Sequence, residues 1–311
     1  MPWNRSGRLG TRGPAEKGET IVTASDGDTS VPDYTMGYSE DYIQFLSSER
    51  AQYAIAFLEP QLSAGLRLLD LGSGPGHVTA ALAQRVAPGE TIGIDINPSQ
   101  LEAARALASG QAGANLSFEL ADAARLPFAD GSFDVVSCCD LLAYQPEPAV
   151  VLAEAHRVLK PGGLIYCREM IIESSFVHPD TPELARGWEI FADLLEADDG
   201  HPQIGKQLMW YLTDRGYRDL RLSLTFETYA ENSSVERFHR LVATWFRSSE
   251  ITMPVLQYEA GSAGELEQFD EALARWWRTP GAYAAIAFGQ ATARKSSRVG
   301  WAYPCASALR A

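Results

Sequence analysis

The chain has 311 residues, a formal net charge of −14 and a pI of about 4.8. Its apolar share of 46% can supply a sizeable core, and no run approaches the roughly eighteen apolar residues of a membrane-spanning helix. No stripe of clustered Lys and Arg is visible, so we expect no nucleic-acid partner.

Residues 1–30 carry basic side chains but no apolar segment, and we expect a disordered tail rather than a secretory signal. The four cysteines, Cys138, Cys139, Cys167 and Cys305, form no C-x-x-C pair of the kind that binds zinc. Buried free thiols in a reducing compartment are the simpler interpretation. The expected location is therefore cytoplasmic, with no membrane span and no metal site.

A first helix is predicted from Tyr42 to Leu58, where apolar residues recur at helical spacing before Pro60. Strands and helices then alternate as far as Met170. The predicted strands are 66–72, 91–96, 116–122, 133–139 and 164–170, and the helices between them are 77–87, 99–109 and 148–159. Asn97 is placed to cap the second of these helices, with Pro98 at its first position. The alternation predicts an α/β fold with a mostly parallel sheet.

The regular alternation of predicted strands and helices ends at Met170. The segments SSF and VHP, within residues 174–179, are predicted to form a lid loop. Helices are then expected at 181–197, 204–216, 234–249 and 263–279, with strands at 220–229 and 283–295. Alanine weakens the strand signal of the last segment.

The segment LRLLDLGSGPGHVTAAL places Gly72, Gly74 and Gly76 between a strand and a helix. Strand, glycine loop and helix open a nucleotide-binding βαβ unit. The spacing G-x-G-x-G is one residue shorter than the dinucleotide fingerprint, which argues against a pyrophosphate cradle. A turn without a ligand is the alternative, because tight turns also need glycine. Pro75 is expected at the first position of the following helix.

Two acidic residues end the next two strands. Asp95 lies roughly twenty residues beyond the glycine loop, where a carboxylate can accept both hydrogen bonds from a ribose diol. Asp122 can accept from an adenine amino group, and Ala123 can offer a backbone N–H to the ring. Because the carboxyl ends of neighbouring strands meet at one edge of the sheet, the pattern predicts an adenosine with little or no phosphate.

The segments LLDLGSGPGHVT, GIDINPSQL, DAARLPFADGSFDVV and EAHRVLKPGGLIYCRE resemble the motif series of class I S-adenosylmethionine-dependent methyltransferases, especially the ubiquinone/menaquinone-biosynthesis C-methyltransferase type. The resemblance covers about residues 34–170. It implies an α/β, Rossmann-like, mostly parallel seven-stranded sheet whose last strand is antiparallel. We expect the domain at 31–300, helical cap insertions at 171–203 and 232–279 on the cofactor side, and a tail at 301–311.

The resemblance also implies which residues hold S-adenosylmethionine. Asp95 would bind the ribose hydroxyls, and Ile96 would pack on adenine. Tyr34 and Tyr38 would close over the cofactor. Their alternative role is structural, as aromatic side chains that pack under a helix. The residues implied to line the cofactor are Tyr34, Tyr38, Asp70, Gly72, Ser73, Gly74, Gly76, Asp95, Ile96, Asp122, Ala123, Cys138 and Cys139.

Methyl transfer is an in-line displacement at an activated carbon, so alignment is the main requirement. A base is needed only if the nucleophile keeps its proton. Glu169, at the end of the fifth strand, is the first candidate, and His178 from the lid segment is another. Tyr144 stands where many relatives have a histidine after the fourth strand, which leaves a base at that position open. The other candidates are Asp140, His201 and His239, and each histidine has a structural role as its alternative.

The predicted caps are rich in aromatic residues, which are typical of a core but also of an apolar pocket. They are Trp188, Phe191, Phe238, Trp245, Phe246, Trp276 and Trp277. We therefore predict a methyltransferase that moves a methyl group to a carbon or oxygen of an apolar or aromatic small molecule.

Three alternatives stay open at this point. An S-adenosylmethionine-binding cyclase or pericyclase-like enzyme would keep the cofactor site without consuming the cofactor. A nicotinamide dehydrogenase would need the pyrophosphate cradle that the glycine spacing argues against, and a regulator would bind the cofactor without chemistry. The sequence leaves the substrate and the oligomeric state undetermined.

Overall fold

The computed structural model describes residues 48–110 and 115–296, all of which belong to one compact unit. The predictions for Tyr34, Tyr38, Cys305 and the two tails lie outside these residues. The first described helix, α1 (Ser48–Ile55), falls within the first predicted helix.

Within the described residues, eight strands form one sheet. They are β1 (Leu68–Leu71), β2 (Thr91–Asp95), β3 (Leu116–Leu120), β4 (Phe133–Cys139), β5 (Leu159–Met170), β6 (Phe176–His178), β7 (Tyr217–Tyr229) and β8 (Tyr283–Lys295). The order is β3-β2-β1-β4-β5-β8, and β7 and β6 also pair with β8. β1 to β5 pair in parallel, whereas β8 is antiparallel to β5, β6 and β7. The predicted mostly parallel sheet with an antiparallel last strand is confirmed.

Helices cover both faces of this sheet. Besides α1 they are α2 (His77–Val86), α3 (Pro98–Gly110), α4 (Pro148–Val158), α5 (Pro182–Ala197), α6 (Ile204–Asp214), α7 (Asn232–Arg247), α8 (Ser249–Gln257) and α9 (Ala263–Trp276). Tyr166 of β5 packs with Leu82 of α2, whereas its neighbour Ile165 packs with Val151 of α4. Burial on both faces is what a parallel sheet requires. No described helix combines the length and apolar character needed to cross a bilayer.

Local sequence signals explain the start of α3. The Asn97 side-chain oxygen accepts hydrogen bonds from the backbone N–H and the hydroxyl of Ser99 at 2.8 and 2.7 Å. Pro98 is the first residue of the helix, where its missing N–H costs nothing. Both predictions are confirmed.

Three elements differ from the predictions. β5 begins at Leu159 because Phe133 pairs with it before a shift in register. β6 stands where a lid loop was expected, since Phe176–His178 pairs with the start of β8. α8 was not predicted, and Pro254 inside it interrupts the helical pattern.

The cap is built from α5 and the three helices between β7 and β8. Its apolar core includes Tyr229 at the end of β7 and Phe288 of β8, and Met170 at the end of β5 packs against it. These residues lie at the carboxyl edge of the parallel strands, because β8 runs in the opposite direction. Both inserted helical segments therefore lie at the edge that carries the predicted cofactor residues.

Candidate active site

The glycine loop lies between the end of β1 and the start of α2. Gly72, Gly74 and Gly76 have φ angles of 68, 50 and 86°, in the left-handed region that favours glycine. α2 begins at His77 after Gly76, so the expectation that Pro75 opens the helix was wrong: the left-handed Gly76 separates them. The backbone N–H of Ser73 donates to Ile94 O at 2.8 Å and ties the loop to β2.

Asp95 holds the loop from the neighbouring strand. One of its carboxylate oxygens accepts from the Gly74 N–H at 2.8 Å, and the other accepts from the Asn97 N–H at 2.9 Å. Burial raises the pKa of Asp95, against the effect of these backbone hydrogen bonds. Since a carboxylate has about four lone-pair sites, Asp95 can still accept from a hydroxyl group at this position.

Asp70 has a different environment from Asp95. Its side chain is buried, and one carboxylate oxygen accepts from the Thr79 hydroxyl at 2.6 Å. Burial raises its pKa to about 6, with a contribution from the charge of Asp95, whereas hydrogen bonds from Thr79 and Ser137 oppose the rise. Asp70 thus fastens the end of β1 to α2 beneath the loop.

The ends of β2 and β3 supply an apolar and a polar surface beside the loop. Ile96 exposes 43% of its surface although it directly follows a buried strand. Asp122 is exposed and accepts from the Ala124 N–H at 2.8 Å, while Ala123 is buried. The backbone N–H of Ala121 donates to Asp95 O at 3.1 Å and keeps the two strand ends together.

The two cysteines at the end of β4 face opposite sides of the sheet. Cys138 is fully buried in the core under α4, and Cys139 is half-buried with its sulfur 3.8 Å from the Ser137 hydroxyl. A hydrogen bond with Cys167 together with burial raises the pKa of the Cys138 thiol, and burial raises that of Cys139. Neither is a nucleophile of the thiolate type.

Glu169 is fully buried, and its carboxylate accepts three backbone hydrogen bonds. The donors are the N–H groups of Leu141, Leu142 and Ala143, at 3.2, 2.9 and 3.2 Å. Burial raises its pKa to about 8, the charge of Asp140 adds to this, and the backbone donors oppose it. This geometry favours a structural role for Glu169, as the group that holds the turn after β4, over the role of a base that contacts a substrate.

The other two predicted catalytic side chains differ in their surroundings. Tyr144 ends the 3₁₀ turn Leu142–Tyr144 and packs between the sheet core and the cap core. His178 is exposed on β6, with its ring 5.2 Å from that of Tyr283. In the described part of the chain, no hydrogen bond joins His178 to a predicted cofactor residue, and its backbone oxygen accepts from Trp276 Nε1 at 2.9 Å.

A buried ion pair at the same edge was not predicted. Arg168 of β5 is 2% exposed, and its Nη2 donates to a carboxylate oxygen of Glu227 at 2.6 Å. Its Nη1 lies 3.6 Å from an oxygen of Asp140, and the guanidinium stacks over Phe288 at 3.4 Å. A charged residue inside the apolar strand LIYCREM was the signal in the sequence, because a buried Arg needs an acidic partner.

Comparison with known proteins shows similarity to methyltransferases. A family described as a methyltransferase domain matches residues 62–211. The demethylmenaquinone methyltransferase of Lactococcus lactis is 41% identical over 128 residues, which are 41% of this chain and 48% of that protein. The protein named probable methyltransferase ltbC of Aspergillus luteorubrus is 35% identical over 174 residues, which are 53% of this chain and 60% of that protein. The chain thus spans between 48% and 60% of the length of these two relatives.

A solved structure shares the fold at low sequence identity. The [4+2]-cyclase SpnF has a TM-score of 0.51 and 21% identity, over 83% of this chain and 82% of its own. Such a likeness concerns the fold alone. Residues 62–211 therefore form a methyltransferase domain of the class I, S-adenosylmethionine-dependent kind.

Proposed function

We propose that the chain transfers a methyl group from S-adenosylmethionine to a carbon or oxygen of an apolar or aromatic small molecule. When bound, this cofactor supplies a methyl group on a positively charged sulfur. The observation that carries the proposal is the Asp95 carboxylate, which fixes the glycine loop through Gly74 at the edge shared by β1, β2 and β3.

Three further features of this edge fit the cofactor. A Cβ atom added at Gly74 would meet only Gln100 Oε1, at 3.8 Å, so the space beside this glycine is open. The Ser73 hydroxyl is buried and has no hydrogen-bond partner in the described part of the chain. The exposed Ile96 offers an apolar surface for an aromatic ring. The residues that would hold the cofactor are therefore Ser73, Gly74, Asp95 and Ile96, with Asp122 and Ala123 beside them.

The aromatic cap supports an apolar or aromatic substrate. Tyr144 contacts both the sheet core and the cap core, so it stands where the two layers meet. Trp188 and Trp277 pack at the margin of the cap core, and within the described residues their indole N–H groups have no acceptor. A mainly apolar small molecule with a few polar groups matches such surroundings.

The net charge of the chain also favours a small molecule over a nucleic acid as the substrate. The net charge of −14 opposes binding to a polyanion. A reducing, cytoplasmic location is part of the proposal, and the free thiols of Cys138, Cys139 and Cys167 support it.

Incubation with S-adenosylmethionine and a panel of quinones, phenols and polyketide-like compounds tests the transfer. We expect S-adenosylhomocysteine to form together with a product that is heavier by one methylene group. Conversion of a panel compound without loss of cofactor would instead support the cyclase alternative. Binding of the cofactor without any reaction across the panel would contradict the proposed substrate class.

A further inference from the structure

Asp140 occupies an unusual backbone position directly after β4. Its φ angle is 53°, in the left-handed region that non-glycine residues rarely adopt. Its N–H donates to Arg168 O at 2.8 Å, which continues the pairing of Cys139 with Arg168 by one residue. Backbone strain of this kind persists where the surroundings determine it and often accompanies a functional site.

The strained residue lies beside the glycine loop. A Cβ atom at Gly72 would come within 3.0 Å of the side chain of Leu141, the next residue after Asp140. On the same face of the sheet, Asp70 pairs in register with Ser137, whose hydroxyl lies 3.8 Å from the Cys139 sulfur. Asp140 is thus at the β1–β4 junction, next to the loop assigned to the cofactor.

Arg168 holds the carboxylate of Asp140 from behind. The guanidinium is fixed by a 2.6 Å hydrogen bond to Glu227 and by stacking on Phe288, and Glu227 in turn accepts from the Tyr229 hydroxyl at 3.1 Å. Its Nε and Nη1 are buried and have no hydrogen-bond partner in the described part of the chain, and Nη1 lies 3.6 Å from the Asp140 carboxylate. The buried Nη1 thus places a positive charge beside the Asp140 carboxylate without a short hydrogen bond to it.

We propose, resting on the proposed function, that Asp140 is the base for a substrate that presents a phenol or enol hydroxyl, and that Arg168 and Glu227 position it. The hydroxyl O–H bond breaks and its proton goes to the Asp140 carboxylate. The substrate oxygen forms a bond to the methyl carbon while the methyl–sulfur bond breaks and its electron pair stays on sulfur. Asp140 is 19% exposed, whereas Glu169 is fully buried under three backbone donors, so Asp140 is the carboxylate that a substrate can reach.

The groups around Asp140 determine how its charge responds to pH. Those that face it from the packed elements are Cys139 of β4, Tyr166, Arg168 and Glu169 of β5, and Glu227 of β7 through Arg168. Replacing Glu227 by Gln removes a negative charge beside Arg168. The guanidinium then favours the ionised form of Asp140 more strongly, and the acidic limb of the rate should move to lower pH.

The test compares Asp140→Asn with Asp219→Asn as the matched control. Asp219 has the same φ of 53° but is exposed near the start of β7, at the opposite edge of the sheet. The probes are 4-methylphenol, 1-naphthol and 4-nitrophenol with S-adenosylmethionine, and binding of S-adenosylhomocysteine is measured by calorimetry for every variant. We expect Asp140→Asn to lower kcat about 100-fold or more, with unchanged binding and a smaller loss for 4-nitrophenol, which is already largely ionised.

The pH profile separates a base from a structural residue. The wild-type rate should fall at acidic pH, this limb should disappear in Asp140→Asn, and Glu227→Gln should shift it to lower pH. Wild-type kcat and profile in Asp140→Asn would overturn the proposal, as would cofactor binding without transfer to any of the three phenols. Failure of the wild type to bind S-adenosylhomocysteine would instead overturn the proposed function itself.

Discussion

Gly74 and Gly76 both have left-handed backbones but very different surroundings. A Cβ atom at Gly76 would lie 2.7 Å from Phe118 Cζ and 3.0 Å from Ala104 Cβ. At Gly74 the added atom would meet only Gln100 Oε1 at 3.8 Å. The fold itself therefore explains the second glycine, while the ligand proposed above explains the first.

Substituting each glycine by alanine separates these two roles. We expect Gly76→Ala to lower the free energy of unfolding by about 2–4 kcal/mol, because strain and a clash add. Gly74→Ala should cost about 1 kcal/mol but weaken S-adenosylhomocysteine binding at least tenfold. Urea unfolding and calorimetry give the two quantities, and a Gly74→Ala variant with wild-type affinity would contradict the placement of the cofactor.

Glu169 allows a second test at this scale, through the pH dependence of stability. Its pKa is about 8 in the folded protein against an ordinary 4.5, so the folded state binds a proton that the unfolded state has lost. The contribution of Glu169 to stability should therefore be largest below pH 4.5 and be lost as the pH rises towards 8. Asp70, with a pKa of about 6, contributes mainly below pH 6. Burial lowers the pKa of His77, His156 and His239 from the ordinary 6.5, so their contribution also changes mainly below pH 6.5. Most of the change between pH 6 and 8 therefore belongs to Glu169.

We expect the wild type to lose on the order of 1–2 kcal/mol of unfolding free energy between pH 6 and 8. Glu169→Gln keeps an acceptor for the backbone donors and should show little change over this interval. Glu196→Gln, an exposed control on α5, should follow the wild type. Equal slopes in Glu169→Gln and the wild type, measured by urea unfolding, would show that Glu169 is ionised at neutral pH.

At the scale of elements, α6 lies directly on the backbone of β8. A Cβ atom at Gly289 would come within 1.9 Å of Gly205 O, and one at Gly205 within 2.4 Å of Glu169 O. The two glycines therefore set the distance between this helix and the sheet. Any side chain at either position must lift α6 away from β8 and disturb the core that Leu208 and Leu212 form with the sheet.

Gly289→Ala should destabilise the protein by about 3 kcal/mol or more, since two backbones must separate. Gly264→Ala is the matched control, because Gly264 lies in α9 with nothing within 4 Å of an added Cβ. There the substitution should stabilise the helix by up to about 1 kcal/mol. Thermal unfolding of both variants checks the prediction, and a wild-type melting temperature in Gly289→Ala would rule out the contact.

Helices and strands could be predicted where their signals lie within a short stretch of sequence, as apolar patterns and as cap residues or prolines at their ends. The strand at 133–139 and the strand at 283–295 match β4 and β8, and Asn97 and Pro98 mark the start of α3. β6 was missed because three residues carry no periodicity of their own, and its pairing with β8 is a long-range contact. The positions of the glycine loop and of Asp95 at neighbouring strand ends could be predicted because their signals are also local. Their spacing in sequence is short and is fixed by the βα turn.

The buried pair Arg168–Glu227 could not be predicted in this way. The two residues are 59 positions apart, and they meet because β7 and β5 pair with opposite sides of β8. For the same reason, Glu169 was chosen as a base from its place at a strand end, whereas three N–H groups of the turn after β4 occupy its carboxylate. The surroundings of an acid at a strand end depend on the backbone of the turn beside it, which the sequence pattern does not give; Asp140, for example, has a φ of 53°.

At the scale of the whole molecule, the sheet edge and the cap have different roles in the proposed function. The glycine loop, Asp95 and Ile96 lie at the edge assigned to the cofactor, and the cap core packs at the ends of β5, β7 and β8. The match to the methyltransferase-domain family covers residues 62–211, whereas α7 to α9 lie beyond that match. The helices that would cover the substrate in the proposed function thus include three that lie outside the matched domain.

The most direct test of the central claim is calorimetric titration of the wild type with S-adenosylhomocysteine, with NADH as the parallel ligand. We expect saturable binding of S-adenosylhomocysteine alone, and a stabilisation of roughly 2.7 kcal/mol at a hundred times its Kd. Asp95→Ala should abolish the binding and Ile96→Ser should weaken it, while melting curves confirm that both variants fold. No binding to the wild type, or equal binding to Asp95→Ala, would contradict the assignment of this strand edge to the cofactor.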